Sequence, residues 1–350
     1  MSTAILPAAP GRAPSRGSDF ASLSRLIAGA GLMKHRPGYY VVRIGLVTAS
    51  YLAGWAAFMT VGDSWWQLLT AAFLAVAFAQ LALVAHDIAH RQVFRTRRAT
   101  EIAGILVGNL GIGMSYGWWM DKHTRHHANP NHEDRDPDVN PDLLVWSANQ
   151  AERATGIARW FGRWQAYLFF PVLTLEGLNL YVNSVRALRR PALRNRRGEA
   201  LMLLLHFAAY ATIVLLVLSP GKAAAFAAIH VALFGVYLGC TFAPNHKGME
   251  MLTSDDEQLD YLRRQVLTSR NVRGGHLINT LLGGLNYQIE HHLFPSMPSV
   301  NLRRAKPIVR DYCASIGVSY AETGLIDSYR LALRSLHAAG EPLRRKKPAA

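Results

Sequence analysis

The chain is poor in cysteine, poor in acid and poor in charge altogether. Only Cys240 and Cys313 occur, the first inside an apolar run and the second in a polar segment. A disulfide framework and a thiolate metal site are therefore excluded. The same count excludes an iron–sulfur cluster, which takes about four thiolates. Charged residues make up 17% of the 350 positions, against roughly 25% in soluble domains. The stretch "MSTAILPAAPGRAPSRGSDF" lacks the apolar core of a signal peptide and reads as a flexible leader. Acid is outnumbered: 23 Asp and Glu face 38 Lys and Arg, a net charge of +15. No zinc-finger spacing or RNP-like aromatic pattern accompanies that excess, and the basic residues flank apolar runs. Nucleic acid is thus not an expected partner, and an anionic membrane surface explains the charge.

Half of the residues are hydrophobic. Four segments are long enough to cross a bilayer, which takes about 20 apolar residues: 39–60, 65–85, 200–218 and 223–243. They form two hairpins with the short turns "VGDS" and "SPGK". Of all Lys and Arg, only Lys222 lies in those turns. Positive charge stays inside, so the N-terminus, the middle segment 86–199 and the C-terminal tail are expected in the cytoplasm. Trp65 and Trp66 then mark the outer interface. Two further apolar stretches, 101–120 and 164–182, are Gly-rich or interrupted by Pro171 and Glu176. They read as re-entrant or interfacial segments. The expected class is an all-α polytopic membrane protein with four transmembrane helices. A flexible leader (1–36) precedes a membrane domain (37–300), followed by a basic tail (301–350) partly disordered at its end.

Fourteen histidines occur, and most are patterned. "HDIAH" holds His86 and His90, "HTRHH" holds His123, His126 and His127, and "QIEHH" holds Gln288, His291 and His292. Spacings of three and four share a helix face, so each triplet is expected to aim its nitrogens at one place. "HDIAH" follows the second span and Asn245–His246 follows the fourth. "HTRHH" lies between the hairpins, and "QIEHH" lies beyond the second. The charge argument puts all of them on the cytoplasmic side. Neutral imidazole is a good ligand for zinc, iron, copper or nickel. The eight histidines with Asn245 and Gln288 are too many for one ion and suit two, at about four or five ligands each. Iron in a nitrogen-rich site with open positions activates oxygen, so a di-iron centre is expected. Asp87, Asp121 and Glu290 adjoin these histidines and are candidates for orienting them. "NHEDRDPDVNPD" reads as a capping loop, with His132 behind the ligands. His35 and His337 read as solvated, His206 and His230 as packing or hydrogen-bonding groups within spans, and His276 is unassigned. Taken singly, "HDIAH" also fits a zinc-hydrolase HExxH with Asp for Glu, and "HTRHH" a solvated basic face.

At these residues the sequence resembles the membrane fatty acid desaturases, whose three boxes read HxxxH, HxxHH and (H/Q)xxHH. The flanks "WWMDKHTRHHANPN", "APNHKGM", "GGLNYQIEHHLFPSMPSVNL" and "YCASIGVSYAET" match as well. The resemblance implies a four-span, mushroom-shaped helical fold with a di-iron centre under a cytoplasmic cap. It implies oxygen-dependent removal of two hydrogens from an acyl chain carried on CoA or a lipid. The acyl chain is expected in a dry tunnel, with its polar head among Arg and Lys. His86, His90, His123, His126, His127, His291 and His292 fall on ligand positions, His246 on the extra ligand, and Asn245 on a water-mediated contact. Gln288 replaces the first histidine of the third box, as in the front-end subgroup and related bacterial acyl-CoA desaturases. Its amide either ligates or hydrogen-bonds a ligand. A bacterial plasma membrane is accordingly the expected location. Many front-end members carry a fused cytochrome b5 domain, and none is apparent in the leader. Electrons are expected from a separate ferredoxin or flavin reductase drawn to the basic face. A hydroxylase or ketolase on the same scaffold is the nearest rival. An intramembrane zinc protease accounts for "HDIAH" alone, and a metal transporter wants its ligands at mid-membrane.

Overall fold

The computed structural model describes residues 18–256 and 258–345. After α1 (Asp19–Gly29) come α2 (Pro37–Val61), α3 (Gln67–Ala89) and α4 (Arg97–Ile105), which runs into a π-helical turn at Leu106–Gly111. Then follow α5 (Tyr116–Ala128), α6 (Ala148–Arg153), α7 (Gly156–Ala187), α8 (Arg196–Val217) and α9 (Pro220–His246). The remainder is α10 (Tyr261–Leu267), β1 (Asn271–Arg273), α11 (His276–Leu281), α12 (Gln288–Leu293), α13 (Ser299–Ser315), β2 (Glu322–Gly324), α14 (Leu325–Ala339) and α15 (Glu341–Arg344). The only named strands among the described residues, β1 and β2, pair in parallel from Asn271↔Glu322 to Arg273↔Gly324.

Five helices are long and apolar enough to cross a membrane: α2, α3, α7, α8 and α9. Two pairs are hairpins, and their tips touch. The Asp63 carboxylate accepts hydrogen bonds from the Ser219 amide at 2.9 Å and its hydroxyl at 3.1 Å, and pairs with Lys222 at 3.0 Å. The other ends of α3 and α9 therefore lie together, about 35 Å away for a 23-residue helix at 1.5 Å per residue. α3 is rich in alanine and buried along most of its length, packed between α2 and α9. Small residues let helix backbones close in where lipid provides no hydrophobic drive between helices. Phe58, Phe78, Phe226 and Phe234 fill the layer between the hairpins. The outward faces of α2 and α8 keep Leu46, Leu204 and Leu216 exposed, as a lipid-facing surface requires.

The number of candidate spans differs from the hydropathy reading. Segment 164–182 lies within the continuous 32-residue α7, with Pro171 inside the helix. Proline there removes one backbone hydrogen bond, which need not end a helix packed on its neighbours. α7 crosses α9 where Gly177 meets Gly235: a Cβ on Gly235 would lie 2.4 Å from the Gly177 nitrogen. Segment 101–120, by contrast, turns back on itself. The Gly111 carbonyl accepts from the Tyr51 hydroxyl at 3.1 Å and the Leu110 carbonyl from His206 Nδ1 at 2.8 Å, both well inside the hairpin bundle. α5 then returns, its start pinned by Glu199, which accepts from Ser115 Oγ at 2.5 Å and the Gly117 amide at 3.1 Å.

At the far end from the hairpin tips, short helices form a second core. Leu23 and Ile27 of α1 pack with Ile289 and Leu293 of α12 and Leu302, Ala305 and Val309 of α13. The leader expected to be flexible through residue 36 therefore contains an ordered helix, because its i, i+4 apolar pair finds that core; residues 1–17 lie outside the described residues. The expected boundary at residue 301 falls inside α13. The tail continues as α14 and α15, and the Leu336 carbonyl accepts from Gln165 of α7 at 2.7 Å. Its end, 346–350, is outside the described residues.

The α7–α9 crossing depends on absent side chains. Replacing Gly235 with Ala puts a methyl against the α7 backbone and should destabilise the protein by about 1–3 kcal/mol. Gly45→Ala, which meets nothing within 4 Å, should not. Thermal unfolding of both variants in detergent measures the difference.

Candidate metal centre

Four chain segments deliver histidine to one place. His86 sits in the last turn of α3 and His90 caps that helix. His123, His126 and His127 lie near the C-terminus of α5, His246 ends α9, and His291 and His292 lie on α12. Their nitrogens form two adjoining groups, each with ligand atoms within 4.8 Å of one another. One holds His86, His90, His123, His127 and His291; the other holds His126, His246 and His292. The His127 and His292 rings stack at 4.3 Å between centroids, joining the two.

The triplets do not each serve one place, as the spacing suggested. Adjacent residues on a helix diverge by about 100°. His126 therefore leaves the face shared by His123 and His127, and His292 turns away from His291. The doubled histidine of the second and third boxes is what lets one helix reach both groups. This also explains why two imidazoles stand side by side in "QIEHH".

The donor set fits metal. Nε2 of His123 lies 2.8 Å from Nε2 of His90 and 3.1 Å from Nε2 of His127. Three such lone pairs cannot all face one another without a proton or a cation between them. Both ring nitrogens of His86 and of His291, and Nε2 of His292, are buried without a hydrogen-bond partner. Buried polar atoms are rarely left so unless something else satisfies them. Burial, aided by the neighbouring imidazoles, holds His123, His127, His291 and His292 well below the ordinary imidazole range. They are therefore neutral, the form that binds metal. At His126 burial acts in the same direction, but the Asp136 and Asp138 carboxylates outweigh it and raise its pKa.

The two groups are supported differently. Each ring of the smaller group is held through Nδ1, leaving Nε2 for the centre. His126 Nδ1 meets the Asp136 carboxylate at 2.9 Å, His246 Nδ1 the Thr268 carbonyl at 3.0 Å, and His292 Nδ1 the Gln265 amide oxygen at 2.9 Å. Such partners fix tautomer and orientation and make the ligand more basic. The Gln288 side-chain amide lies 2.9 Å from His246 Nε2, and the Asn245 amide donates to its oxygen at 3.3 Å. Both amides thus border the three-histidine group. The five-histidine group has fewer polar supports: Asp87 is 3.6 Å from His86 Nδ1, but its carboxylate is taken by Arg43 at 2.8 Å and Ser299 at 2.9 Å.

Three acidic candidates thus part company. Asp87 braces α3 against α2 and the start of α13. Glu290, raised by burial to about 7, binds Tyr320 and Asn271, each at 2.7 Å, and touches none of the eight histidines. Asp121 faces solvent and pairs with Arg125 at 3.1 Å, because two residues before His123 is the opposite side of the helix. His132 is buried outside both groups, its Nδ1 accepting from the Asp134 amide at 3.3 Å. His206 and His230 hydrogen-bond Leu110 and Tyr210 within the bundle. His276 and His337 are exposed. Asp136, Gln265 and Thr268 were missed. Asp136 sits in a loop legible only as acidic, and nothing local marks a glutamine 27 positions from its histidine.

A cavity of about 610 Å³ reaches both groups through His86, His123, His126 and His246. Its volume falls within the roughly 300–1,000 Å³ of ligand sites. Its wall includes apolar residues such as Ala82, Met114, Leu180 and Leu238 and charged ones such as Lys122, Asp138 and Lys247.

The chain is similar to known proteins over most of its length. The family model "Fatty acid desaturase" matches residues 63–324, and the chain belongs to that family. It is 30% identical to an "Acyl-lipid (9-3)-desaturase" of Physcomitrium patens, over 94% of this chain and 64% of that protein. It is 30% identical to a "Delta(5) fatty acid desaturase fat-4" of Caenorhabditis elegans, over 91% of this chain and 72% of the relative. It is 27% identical to a "Delta(6)-fatty-acid desaturase fat-3" of the same organism, over 94% and 76%. The chain thus spans just under two thirds of the moss protein's length.

If the groups are separate metal sites, His86→Ala and His246→Ala should each remove about one of two bound ions per chain. Asp136→Asn should weaken binding at the three-histidine group by about 10–100-fold, and Asp121→Ala should leave it unchanged. Metal content by elemental mass spectrometry, across a chelator series, reads all four.

Proposed function

We propose that this protein is an oxygen-dependent fatty acyl desaturase whose histidine groups hold two iron ions. The reading rests on one observation: two nitrogen-rich groups adjoin along a cavity whose wall carries both apolar and charged side chains. His86, His90, His123, His127 and His291 would hold one ion. His126, His246 and His292 would hold the other, with Gln288 and Asn245 beside it. Iron so bound supplies the oxygen activation and hydrogen abstraction. The chain's own residues do the rest. The cavity wall straightens the acyl chain past the histidines and keeps water away from it. Arg43, Asp87 and Ser299 lock the end of α3 to the segment that carries the third box.

The cavity also suggests which end of the acyl chain reacts. Lys122 and Lys247 directly adjoin His123 and His246, and Asp138 lies 3.4 Å from His126. A polar head held there leaves few carbons before the centre, with the rest of the chain along Ala82, Leu180 and Leu238. The double bond should enter near the carboxyl end. The names "Delta(5)" and "Delta(6)" of the relatives support the same placement.

Four of the five apolar helices, α2, α3, α8 and α9, are proposed to span, with the histidine end and both termini in the cytoplasm. α7 is proposed to lie along the boundary. Its start bonds to α14, and Ser184 near its end accepts from the Ser115 amide at 2.9 Å. The next residues reach Glu101 of α4 through Arg194 at 3.0 Å, and α8 then runs from there to the hairpin tips. Both ends of α7 thus stay on the histidine side. Two electrons per turnover must come from a reductant, and a separate acidic protein suits the basic cytoplasmic face. The reported relatives are eukaryotic and carry nothing for a bacterial membrane.

Expression in a host of known lipid profile should yield new unsaturated fatty acids, with double bonds mapped near the carboxyl end. His126→Ala or His292→Ala should abolish them and His337→Ala should not. Hydroxylated or keto products in place of unsaturated ones would move the protein to the hydroxylase branch of this scaffold.

A further inference from the structure

α7 carries two faces that meet at an edge. One is apolar and exposed: Trp160, Trp164, Tyr167 and Leu178 lie along it, and aromatic residues of this kind settle at membrane interfaces. The other lines the cavity. Leu175 and Asn179, one turn apart, belong to both, being exposed and at the same time part of the cavity wall; Leu175 is 54% exposed. The exposed face of α7 and the cavity wall thus meet at this edge, where Asn179 donates to the Glu176 carboxylate at 3.1 Å.

The cavity wall also carries two arginines. Arg125 of α5 and Arg190, just after α7, both line the cavity. They share a single carboxylate: Asp121 is 3.1 Å from Arg125 and 4.0 Å from Arg190. Two guanidinium groups on one acid leave one positive charge, which complements the single negative charge of a phosphodiester. Planar, forked guanidinium also suits phosphate oxygens.

We propose that the slot between α5 and α7 is a lateral portal for a membrane phosphoglyceride. Arg125 and Arg190 hold its phosphate, and one acyl chain passes between Leu175 and Asn179 into the cavity. This rests on the desaturase reading only for what happens to the chain afterwards. The substrate thus arrives on its glycerolipid from the adjoining leaflet, and acyl-CoA is not the carrier that the portal fits.

The test uses the full chain in nanodiscs without reductant. The probe is phosphatidylglycerol bearing a diazirine near the end of one acyl chain; after photolysis, labelled peptides are mapped by mass spectrometry. Label is expected at Leu180 and Leu238. It should fall roughly tenfold, the equivalent of one lost charge-assisted contact, in the Arg125→Ala/Arg190→Ala double variant. Leu175→Trp should block it sterically, and metal content should be unchanged in both variants. Label confined to the outward face of α7, or undiminished in both variants, overturns the portal. Stronger cavity labelling by the same diazirine chain presented as acyl-CoA overturns the lipid assignment. A chain that labels in its cavity yet forms no double bond on reduction sinks the desaturase reading and leaves the portal standing.

Discussion

The constraint on which the structure depends is the mutual repulsion of buried lone pairs. Eight imidazoles taken out of water cannot charge without repelling one another, and cannot stay neutral and unpaired without cost. A metal ion resolves both problems. Everything around the centre serves to keep those nitrogens facing inward: Glu199 fixing the start of α5, the Asp63–Lys222 contact aligning the hairpins, Arg43 and Asp87 tying α3 to α13. The polar supports are concentrated on the three-histidine group.

The membrane shapes the same centre from below. With little hydrophobic drive between helices in lipid, the bundle closes through alanine on α3 and the Gly177–Gly235 crossing. That closeness brings the ends of α3 and α9 within reach of one another. The irregular backbone of segment 101–120 is accommodated because Tyr51, His206 and Glu199 satisfy its freed groups. The bundle, the turn within 101–120 and α7 together wall the cavity that reaches the histidines.

The three boxes, the hairpins and the asymmetry of Lys and Arg are short-range patterns, and they were legible because period and charge act locally. The division of the histidines into two groups was less visible. It follows from helix geometry within "HTRHH" and "QIEHH", yet it emerges only when α5 and α12 face each other. Asp121 looked like a partner by its position and is not one, since its side chain points the other way. The hydropathy of α7 is ambiguous for a related reason: one face is apolar and exposed and the other lines the cavity with polar residues, so an average over both is only weakly apolar.

By itself the sequence determined a largely helical membrane protein with few charged residues, the histidine boxes and the family they mark, since these depend on residue types and spacings along one element. Tertiary structure alone decided which histidine joins which group, that Asp136, Gln265 and Thr268 brace three of them, and that one cavity reaches both groups. Those outcomes depend on distances between segments far apart in the chain, which helix packing sets and local pattern does not record.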